Sequence, residues 1–417
     1  MIHVHALVDH LFRQEAGRMV SILTRIFGLH NLELVEDIVQ DTHHQALQDW
    51  IKGPLPDNPQ GWLMTVAKRK AINMIRRERM VRSFAGDMDA LLRSEWTTTY
   101  TMDNVFLEPE IKDSQLRMIF TCCHPALAPE AQIALTLKTL CGFSIGEIAS
   151  ALLTSEANVH KRLYRAKEKI RHEQIGFAVP QGASLYERLD AVLLVLYLVF
   201  NEGYHSAGDH PAIRNDLCLE AMRLAMLLTE KPPGYPRTLA LLALMCFHTA
   251  RFDARTGPND DLVLLAEQDR TRWNRDLIAE GLRFLSESAL GTEVTEYHLE
   301  AAIAAEHCLA ASFSETDWGK IHGYYVALER LKPSSVIRLN MAVALGKKEG
   351  PESALVLLHR LESEGVLAAY PLLYASLGEF YLLSGEKARA REYFGVARSL
   401  TKSPSVLEVL DRKIGAC

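Results

Sequence analysis

Basic side chains gather at two places in this chain, and phosphate binding is the chemistry that such clusters serve best. Seven basic residues and only one acidic residue, Glu78, lie between Lys68 and Arg82. The second cluster occurs at helical spacing and comprises Lys161, Arg162, Arg165, Lys167 and Lys169. Cations crowded on one helix face repel each other, which makes the face well suited to a polyanion. A solvated helix surface is the alternative for either cluster taken alone.

The second cluster lies in a stretch, residues 143–171, that has the pattern of a helix-turn-helix. Ser144 and Glu147 have the spacing of a capping box, and Ser155 or Thr154 can cap the second helix. The predicted buried stripe of that helix is Val159, Leu163, Ala166 and Ile170, and its predicted outward residues are Ala157, Asn158, Lys161, Tyr164 and Arg165. The first turns of such a helix enter the major groove, where Asn, Lys and Arg reach base edges. The pattern therefore favours DNA binding over a helical hairpin with a basic surface.

Upstream of the first cluster, an acidic helix and a proline-rich loop are predicted. In residues 32–50, one stripe is formed by Val35, Ile38, Val39, Thr42, Ala46 and Trp50, and the opposite face carries Glu33, Glu36, Asp37, Gln40 and Gln48. That face is either solvated or a docking surface for a basic partner. Three prolines in residues 52–60 restrict the backbone and hold Asp57 and Asn58 near the start of a basic helix, 60–79.

The cysteines do not predict a metal site. The chain has seven, none of them in CxxC spacing, and the odd number indicates reduced thiols in a cytoplasmic protein. Three adjacent residues, Cys122, Cys123 and His124, cannot all point at one ion from a helix, so a packed helix end is expected there. We predict no metal and no cofactor.

The absence of a Gly-rich phosphate loop or a nucleophile elbow argues against an enzyme.

These elements must be positioned by a helical scaffold, because nearly every periodic segment has helical rather than alternating spacing. This spacing predicts an all-α protein. The length of 417 residues predicts two to four domains, and a content of 48% hydrophobic residues is ordinary for a soluble globular protein. The longest apolar run, residues 191–200, is short of the roughly 20 residues of a membrane span, and residues 1–18 do not resemble a signal peptide. We therefore expect a cytoplasmic protein with no membrane partner.

The predicted order of domains is a helical unit at 1–80, an irregular acidic linker at 81–113, a helix-turn-helix unit at 114–176 and a helical extension at 186–417. Tetratricopeptide-like repeats are predicted in the extension from about residue 300. The strongest copy is defined by Tyr374, Leu377, Gly378, Tyr381, Ala390, Phe394 and Ala397. In this copy and two weaker ones, the second-helix anchors Tyr325, Leu358 and Phe394 lie 33 and 36 residues apart. Such arrays bind peptides or helices, or pack against their own chain.

The order of these motifs resembles sigma-70 factors of the extracytoplasmic-function (ECF) type, and specifically the subgroup with a tetratricopeptide-like C-terminal extension. The resemblance rests on residues 35–41 (Val-Glu-Asp-Ile-Val-Gln-Asp), 58–67, 119–127 and 162–167. Residues 196–204 and 267–274 also resemble stretches of that extension. Within the last of these, we expect Glu267, Asp269, Arg270 and Arg272 to form salt bridges rather than a polar pocket.

The resemblance implies two partners, promoter DNA and core RNA polymerase with its β′ clamp and β flap. The residues implied for core binding are Glu36, Asp37, Gln40 and Asp41. Those implied for the −10 element are Asp57, Asn58, Lys68, Arg69, Asn73, Arg76 and Arg77. Those implied for the −35 element are Ser155, Asn158, His160, Lys161, Arg162, Arg165 and Lys167. The acidic linker would follow the RNA-exit path. His43, His44 and His160 depart from many relatives, so the base preference does not transfer.

The function expected from the sequence is therefore that of a sigma factor, with a C-terminal domain for regulation or for a protein or peptide partner. A stand-alone helix-turn-helix regulator with a repeat-based sensor is the alternative. A regulator of that kind would not need both an acidic helix and a basic helix in its first unit.

Overall fold

A computed structural model of the protein describes residues 2–78, 95–152, 154–180, 183–205, 211–229, 236–255, 257 and 263–417. Helices and turns account for the structure of these residues, with no strand among them, so the all-α prediction is confirmed. They divide into an N-terminal unit, Met1–Glu202 with Leu219–Leu227, and a C-terminal unit, Gly203–Cys218 with Leu228–Cys417. None of the described helices is long and apolar enough to cross a membrane.

The N-terminal unit is a bundle around one long helix, α1. Its described helices are α1 (Ile2–Phe27), α2 (Leu32–Lys52), α3 (Pro59–Glu78), α4 (Glu95–Val105), α5 (Glu108–Cys122), α6 (Pro129–Thr139), α7 (Ile145–Ala151), α8 (Glu156–His172), most of α9 (Ala183–His205) and the stretch Leu219–Leu227 of α10 (Pro211–Thr229). Helix α1 packs against α2, α3, α5 and α6. The stripe predicted for α2 is buried at every position except Trp50, which is partly exposed.

Two glycines let the backbone of α1 approach the turn after α6. A Cβ atom at Gly17 would lie 1.9 Å from the carbonyl oxygen of Leu140, so only glycine fits there without moving main chain. Gly142 has a φ of +69° and lies against the backbone of Arg13. Arg13 also pairs with Glu147 of α7 at 3.0 Å and stacks over the ring of Phe143. Helix α1 is thereby joined to the helix-turn-helix by close packing and by charge.

The expectation of irregular structure at 81–113 is wrong for the part that the structure describes. Helix α4 covers Glu95–Val105, and α5 begins at Glu108. The reason is tertiary packing, since Met102, Val105 and Ile111 are buried and outweigh the low helix propensity of the threonine run. Residues 79–94 lie outside the described residues.

The C-terminal unit continues the helical chain to the end. Its described helices comprise part of α10 (Pro211–Thr229), α11 (Pro236–Thr249), α12 (Phe252–Arg255), α13 (Arg275–Ser288), α14 (Glu296–Leu309), α15 (Trp318–Leu331), α16 (Ser335–Glu349), α17 (Pro351–Glu364), α18 (Pro371–Leu383), α19 (Lys387–Leu400) and α20 (Pro404–Ala416). Helix α11 packs against α13 and α14, and from α14 onward each helix packs against the next. Residues up to Glu202 pack with the N-terminal unit, whereas the predicted extension begins at residue 186.

Small residues permit close helix packing at the repeat positions singled out above. A Cβ atom at Gly378 would come within 2.7 Å of the ring of Phe394, which is the predicted second-helix anchor. Ala390 and Ala397 are fully buried beside it. Gly346 has the same role against Ala354 and Phe380.

The salt-bridge network expected at Glu267, Asp269, Arg270 and Arg272 is wrong. Arg270 is buried and donates from Nη1 to the carbonyls of His307 and Ala310 at 2.5 and 2.6 Å, which caps the end of α14. Asp269 instead accepts from Thr271 N at 2.9 Å. Among the described residues, Glu267 forms an ion pair outside this group, at 3.6 Å from Arg412.

Candidate nucleic-acid interface

Helix α8 is fixed by a cap and by a continuous buried stripe. Ser155 Oγ accepts a hydrogen bond from Asn158 N at 3.3 Å, and in α7 Ser144 and Glu147 form the predicted capping box. The buried residues of α8 are Val159, Leu163, Ala166 and Ile170, as predicted. Asn158 and Lys161 are consequently held on the solvent side within the first two turns. This is the geometry in which a second helix presents its start to a groove.

The cations of α8 are divided along its length. Lys161, Arg162 and Arg165 have no carboxylate partner among the residues that the structure describes. The following cations are neutralised: Lys167 by Glu36, Lys169 by Glu173 and Arg171 by Glu168. Positive charge that no described carboxylate balances is therefore concentrated in the first half of the helix.

Helix α3 begins at a cap that uses one of the predicted DNA-binding residues. Asn58 Oδ1 accepts from Gly61 N at 2.9 Å, and Pro59 occupies the first helical position. Asp57 is exposed beside this cap. The side-chain carbonyl oxygen of Asn58 therefore caps the helix. The side-chain NH2 group makes no hydrogen bond to a described residue, so it can donate to a ligand.

Helix α3 also has a paired cation and several unpaired ones. Lys68 is bonded to Asp103 of α4. Arg69, Asn73, Arg76 and Arg77 are exposed, and within the described parts of the chain none of the three arginines has a carboxylate partner. Arg76 and Arg77 lie at the end of the helix, so here the unbalanced charge is greatest in the second half.

The acidic face of α2 is bonded to α8 through Glu36. Glu36 accepts from Lys167 Nζ at 2.9 and 3.0 Å, and each side chain is only 19% exposed. Asp37, Gln40 and Asp41 on the same face are exposed. The structure thus joins a residue predicted to bind polymerase to a residue predicted to bind the −35 element.

The three histidines noted in the sequence have different environments. His43 stacks on Phe12 with ring centroids 4.4 Å apart, and burial lowers its pKa to about 4, so it is neutral at pH 7. His44 is exposed and bonded to Gln48 at 2.8 Å. His160 is exposed on the outer side of α8. Only His160 belongs to the candidate DNA-facing surface.

The cysteine pair belongs to a packed helix end. Cys122 and Cys123 are buried and bonded to Thr139 and Thr136 at 3.1 and 3.7 Å. Burial raises the pKa of Cys123 to about 12, which disfavours the thiolate that a metal needs. In the described part of the chain, no three His, Cys, Asp or Glu side chains are grouped so that they could hold a metal.

Sequence reasoning missed three residues that position this surface. Asp103 engages Lys68, Arg13 bridges to Glu147, and Gly17 admits the backbone of Leu140. Each contact joins segments far apart in sequence, so no local periodicity could have indicated it.

Two known families match the two parts of the chain that carry this surface. The family described as Sigma-70 region 2 matches residues 11–80, which contain α2 and α3. The family described as Sigma-70, region 4 matches residues 117–170, which contain α7 and nearly all of α8. The chain therefore contains two sigma-70 domains, one in residues 11–80 and one in residues 117–170. In sigma-70 terms, the acidic face and α3 lie in region 2, and the helix-turn-helix lies in region 4.

The remaining matches concern the rest of the chain. A family of unknown function (DUF6596) matches residues 188–289. An uncharacterised protein of Rhizobium meliloti (strain 1021) is 36% identical over 386 residues, which cover 93% of this chain and 90% of that relative. RNA polymerase sigma factor CarQ of Myxococcus xanthus is 26% identical over 163 residues, covering 39% of this chain and 86% of CarQ. The sigma-like part is therefore followed by an extension that the Rhizobium protein shares over most of its length.

Proposed function

We propose that this protein is a promoter-specificity subunit of RNA polymerase of the ECF type, acting in the cytoplasm and only when bound to core enzyme. The observation that carries the proposal is the distribution of unbalanced charge. Exposed cations without a carboxylate partner among the described residues occur on α8 and on α3, while α2 of the same unit presents exposed acidic residues. One face suits DNA phosphates, and the other suits a basic protein surface.

In this proposal α8 reads the −35 duplex. Ser155 and Asn158 lie at its N-terminus, and His160, Lys161, Arg162 and Arg165 follow on or beside its exposed side. Asn, Lys and Arg can bond base edges in the major groove, and later cations hold phosphates. Lys167 contributes to DNA binding only if it leaves Glu36.

Helix α3 has a different role in the proposal. Asp57 and the amide group of Asn58 lie at its exposed start, where an unstacked base of the −10 element would be held. Arg69, Asn73, Arg76 and Arg77 follow along the exposed side and would hold the opened strand. Because Lys68 is bonded to Asp103, we expect it to contribute least of the cations on this helix.

Core polymerase is proposed to bind the acidic face of α2 through Asp37, Gln40, Asp41 and, after release from Lys167, Glu36. The C-terminal helices are proposed to be a tetratricopeptide-like regulatory or partner-binding module. The close packing at Gly378 and Gly346 supports that interpretation, because small residues at the crossing of paired helices are typical of such repeats.

The test is transcription reconstituted from purified core polymerase and the full chain on a library of promoters. We expect initiation from specific promoters with both components and none with either alone. Asp37→Lys with Gln40→Lys should weaken core binding, whereas Lys161→Ala should weaken promoter binding and leave core binding intact. Specific duplex binding without core enzyme, together with no initiation in its presence, would instead support the stand-alone regulator.

A further inference from the structure

The C-terminal unit contains an apolar cavity that the proposed function does not use. Its volume is about 360 Å³, within the range of about 300–1,000 Å³ usual for small-molecule sites. Its wall is formed by the segment 264–267 together with residues of α16, α18, α19 and α20. Apolar side chains make up most of the lining, among them Leu264, Phe313, Leu372, Ala375, Val406 and Val409.

Charged groups at this cavity are neutralised with one exception. Lys413 is bonded to Glu379 at 2.8 Å, and Glu267 lies 3.6 Å from Arg412. Lys347 also lines the cavity, and it has no carboxylate partner among the residues that the structure describes. An apolar chamber with a single unbalanced cation therefore remains.

Aromatic rings hold the amino group of Lys347 in place. Its Nζ lies 5.7 Å from the ring centroid of Phe313 and 5.7 Å from that of Phe380. Ring faces attract the ammonium group but supply no hydrogen-bond acceptor oxygen. An anionic oxygen could therefore bind this group without displacing a competing carboxylate.

We propose that this cavity binds a small anionic amphiphile, with an apolar body against the helices and a carboxylate on Lys347. A flexible amphiphile with a chain of about ten carbons is one example, because burial of methylene groups against apolar walls is favourable in proportion to the area buried. A bound peptide is disfavoured, since its backbone N–H and C=O groups require partners that a mainly apolar wall does not offer.

The test is isothermal titration calorimetry of the full chain with decanoate, decanol and decyltrimethylammonium, which share one tail and differ in head-group charge. We expect decanoate to bind about tenfold more tightly than decanol, the difference typical of one charge-assisted hydrogen bond, and the cation not to bind. Lys347→Gln should weaken decanoate about tenfold and leave decanol unchanged. Lys348→Gln is the matched control, because that neighbour is exposed and already lies 2.9 Å from Glu349.

A second variant keeps the location of the site testable. Ala375→Trp fills the cavity and should abolish binding of decanoate and decanol, while circular dichroism and the melting temperature report that the chain still folds. Equal binding of decanoate and decanol, undiminished binding by Lys347→Gln, or full binding by folded Ala375→Trp would each overturn the proposal. So would binding of an apolar peptide with a free C-terminal carboxylate in the absence of decanoate binding. The assay contains neither polymerase nor DNA, so its outcome is independent of the proposed promoter function.

Discussion

The two basic helices of the N-terminal unit are alike in composition and opposite in how their charge is arranged. In α8 the cations of the first half, Lys161, Arg162 and Arg165, have no carboxylate partner in the described part of the chain, and those of the second half are paired. In α3 the early cation Lys68 is paired, whereas the later Arg76 and Arg77 have no such partner among the same residues.

This difference indicates which part of each helix is available to bind a polyanion. A side chain already held by a carboxylate must give up that interaction to bind a phosphate, whereas an unpaired one only releases counterions. In the proposed function, helix α8 therefore inserts its N-terminal end into a duplex. Helix α3 would hold an unstacked base at its start, where the cap engages only the side-chain oxygen of Asn58, and would bind the opened strand along its side and its C-terminal end.

The largest expected effect comes from reversing the unpaired charge of α8. Lys161→Glu with Arg165→Glu should weaken binding of the holoenzyme to −35 duplex DNA by about a hundredfold or more, because each base or phosphate contact of this kind is worth about 1–3 kcal/mol. Fluorescence anisotropy with a labelled duplex measures this. Lys169→Glu with Arg171→Glu, on the paired half of the same helix, is the control. Equal losses in both variants would remove the distinction between the two halves.

A different step should fail when the charge of α3 is reversed. Arg76→Glu with Arg77→Glu should reduce promoter opening by about tenfold or more, because these cations are proposed to hold the separated strand. Permanganate reactivity of unpaired thymines reports opening, and duplex binding by the same holoenzyme should be nearly unchanged. Lys68→Gln, which removes a cation bonded to Asp103, should have a smaller effect. A loss of duplex binding as large as the loss of opening would show that α3 does not act as proposed.

Salt dependence separates unpaired from paired cations on α8 more finely. Lys161→Ala should reduce the slope of log K against log salt concentration by about one, the value expected for loss of one phosphate contact. Lys167→Ala should leave the slope unchanged, because in the wild-type protein Glu36 holds the Lys167 side chain. Titrations between about 50 and 200 mM salt are sufficient for the measurement. A reduced slope for Lys167→Ala would place Lys167 on DNA.

The smallest expected effect concerns the ion pair between α2 and α8. A double-mutant cycle with Glu36→Gln and Lys167→Met should give a coupling free energy of about 1 kcal/mol in urea unfolding, because both groups are mostly buried. Asp37→Asn, at the exposed neighbouring position, should show no coupling to Lys167→Met. Zero coupling in the first cycle would mean that Lys167 is available to DNA after all.

Local patterns predicted the parts of this molecule in which neighbours along the chain determine the structure. The capping box of Ser144 and Glu147, the Ser155 cap and the buried stripe of α8 all follow from spacings of three and four residues. For α3, helical spacing from Leu63, Val66 and Ala67 predicts that Lys70 and Met74 lie on the same side, and this prediction is less accurate. Ala71 and Ile75 are fully buried there, and the two predicted residues are only partly so.

Contacts between distant segments could not be predicted in this way. The Glu36–Lys167 pair joins residues 131 positions apart, and the Lys68–Asp103 pair joins residues 35 positions apart. A single sequence indicates that a side chain is charged, but it does not indicate whether the fold brings a counterion to it. The division of each basic helix into paired and unpaired halves therefore became visible only in the structure.

The glycine contact at the start of the molecule has a consequence for how the N-terminal unit responds to its surroundings. Region 2 and region 4 are joined at Gly17 and Leu140 by the shapes of two backbones, and steric fit of that kind is indifferent to ionic strength. The Glu36–Lys167 pair joins the same two regions by charge, which counterions screen in part because each side chain is still 19% exposed. A change in electrolyte concentration therefore acts on one of these links and not on the other. A higher salt concentration would weaken the contact between α8 and α2, whereas the packing of α1 against the turn after α6 would not change. The first of these two contacts is therefore sensitive to salt and the second is not.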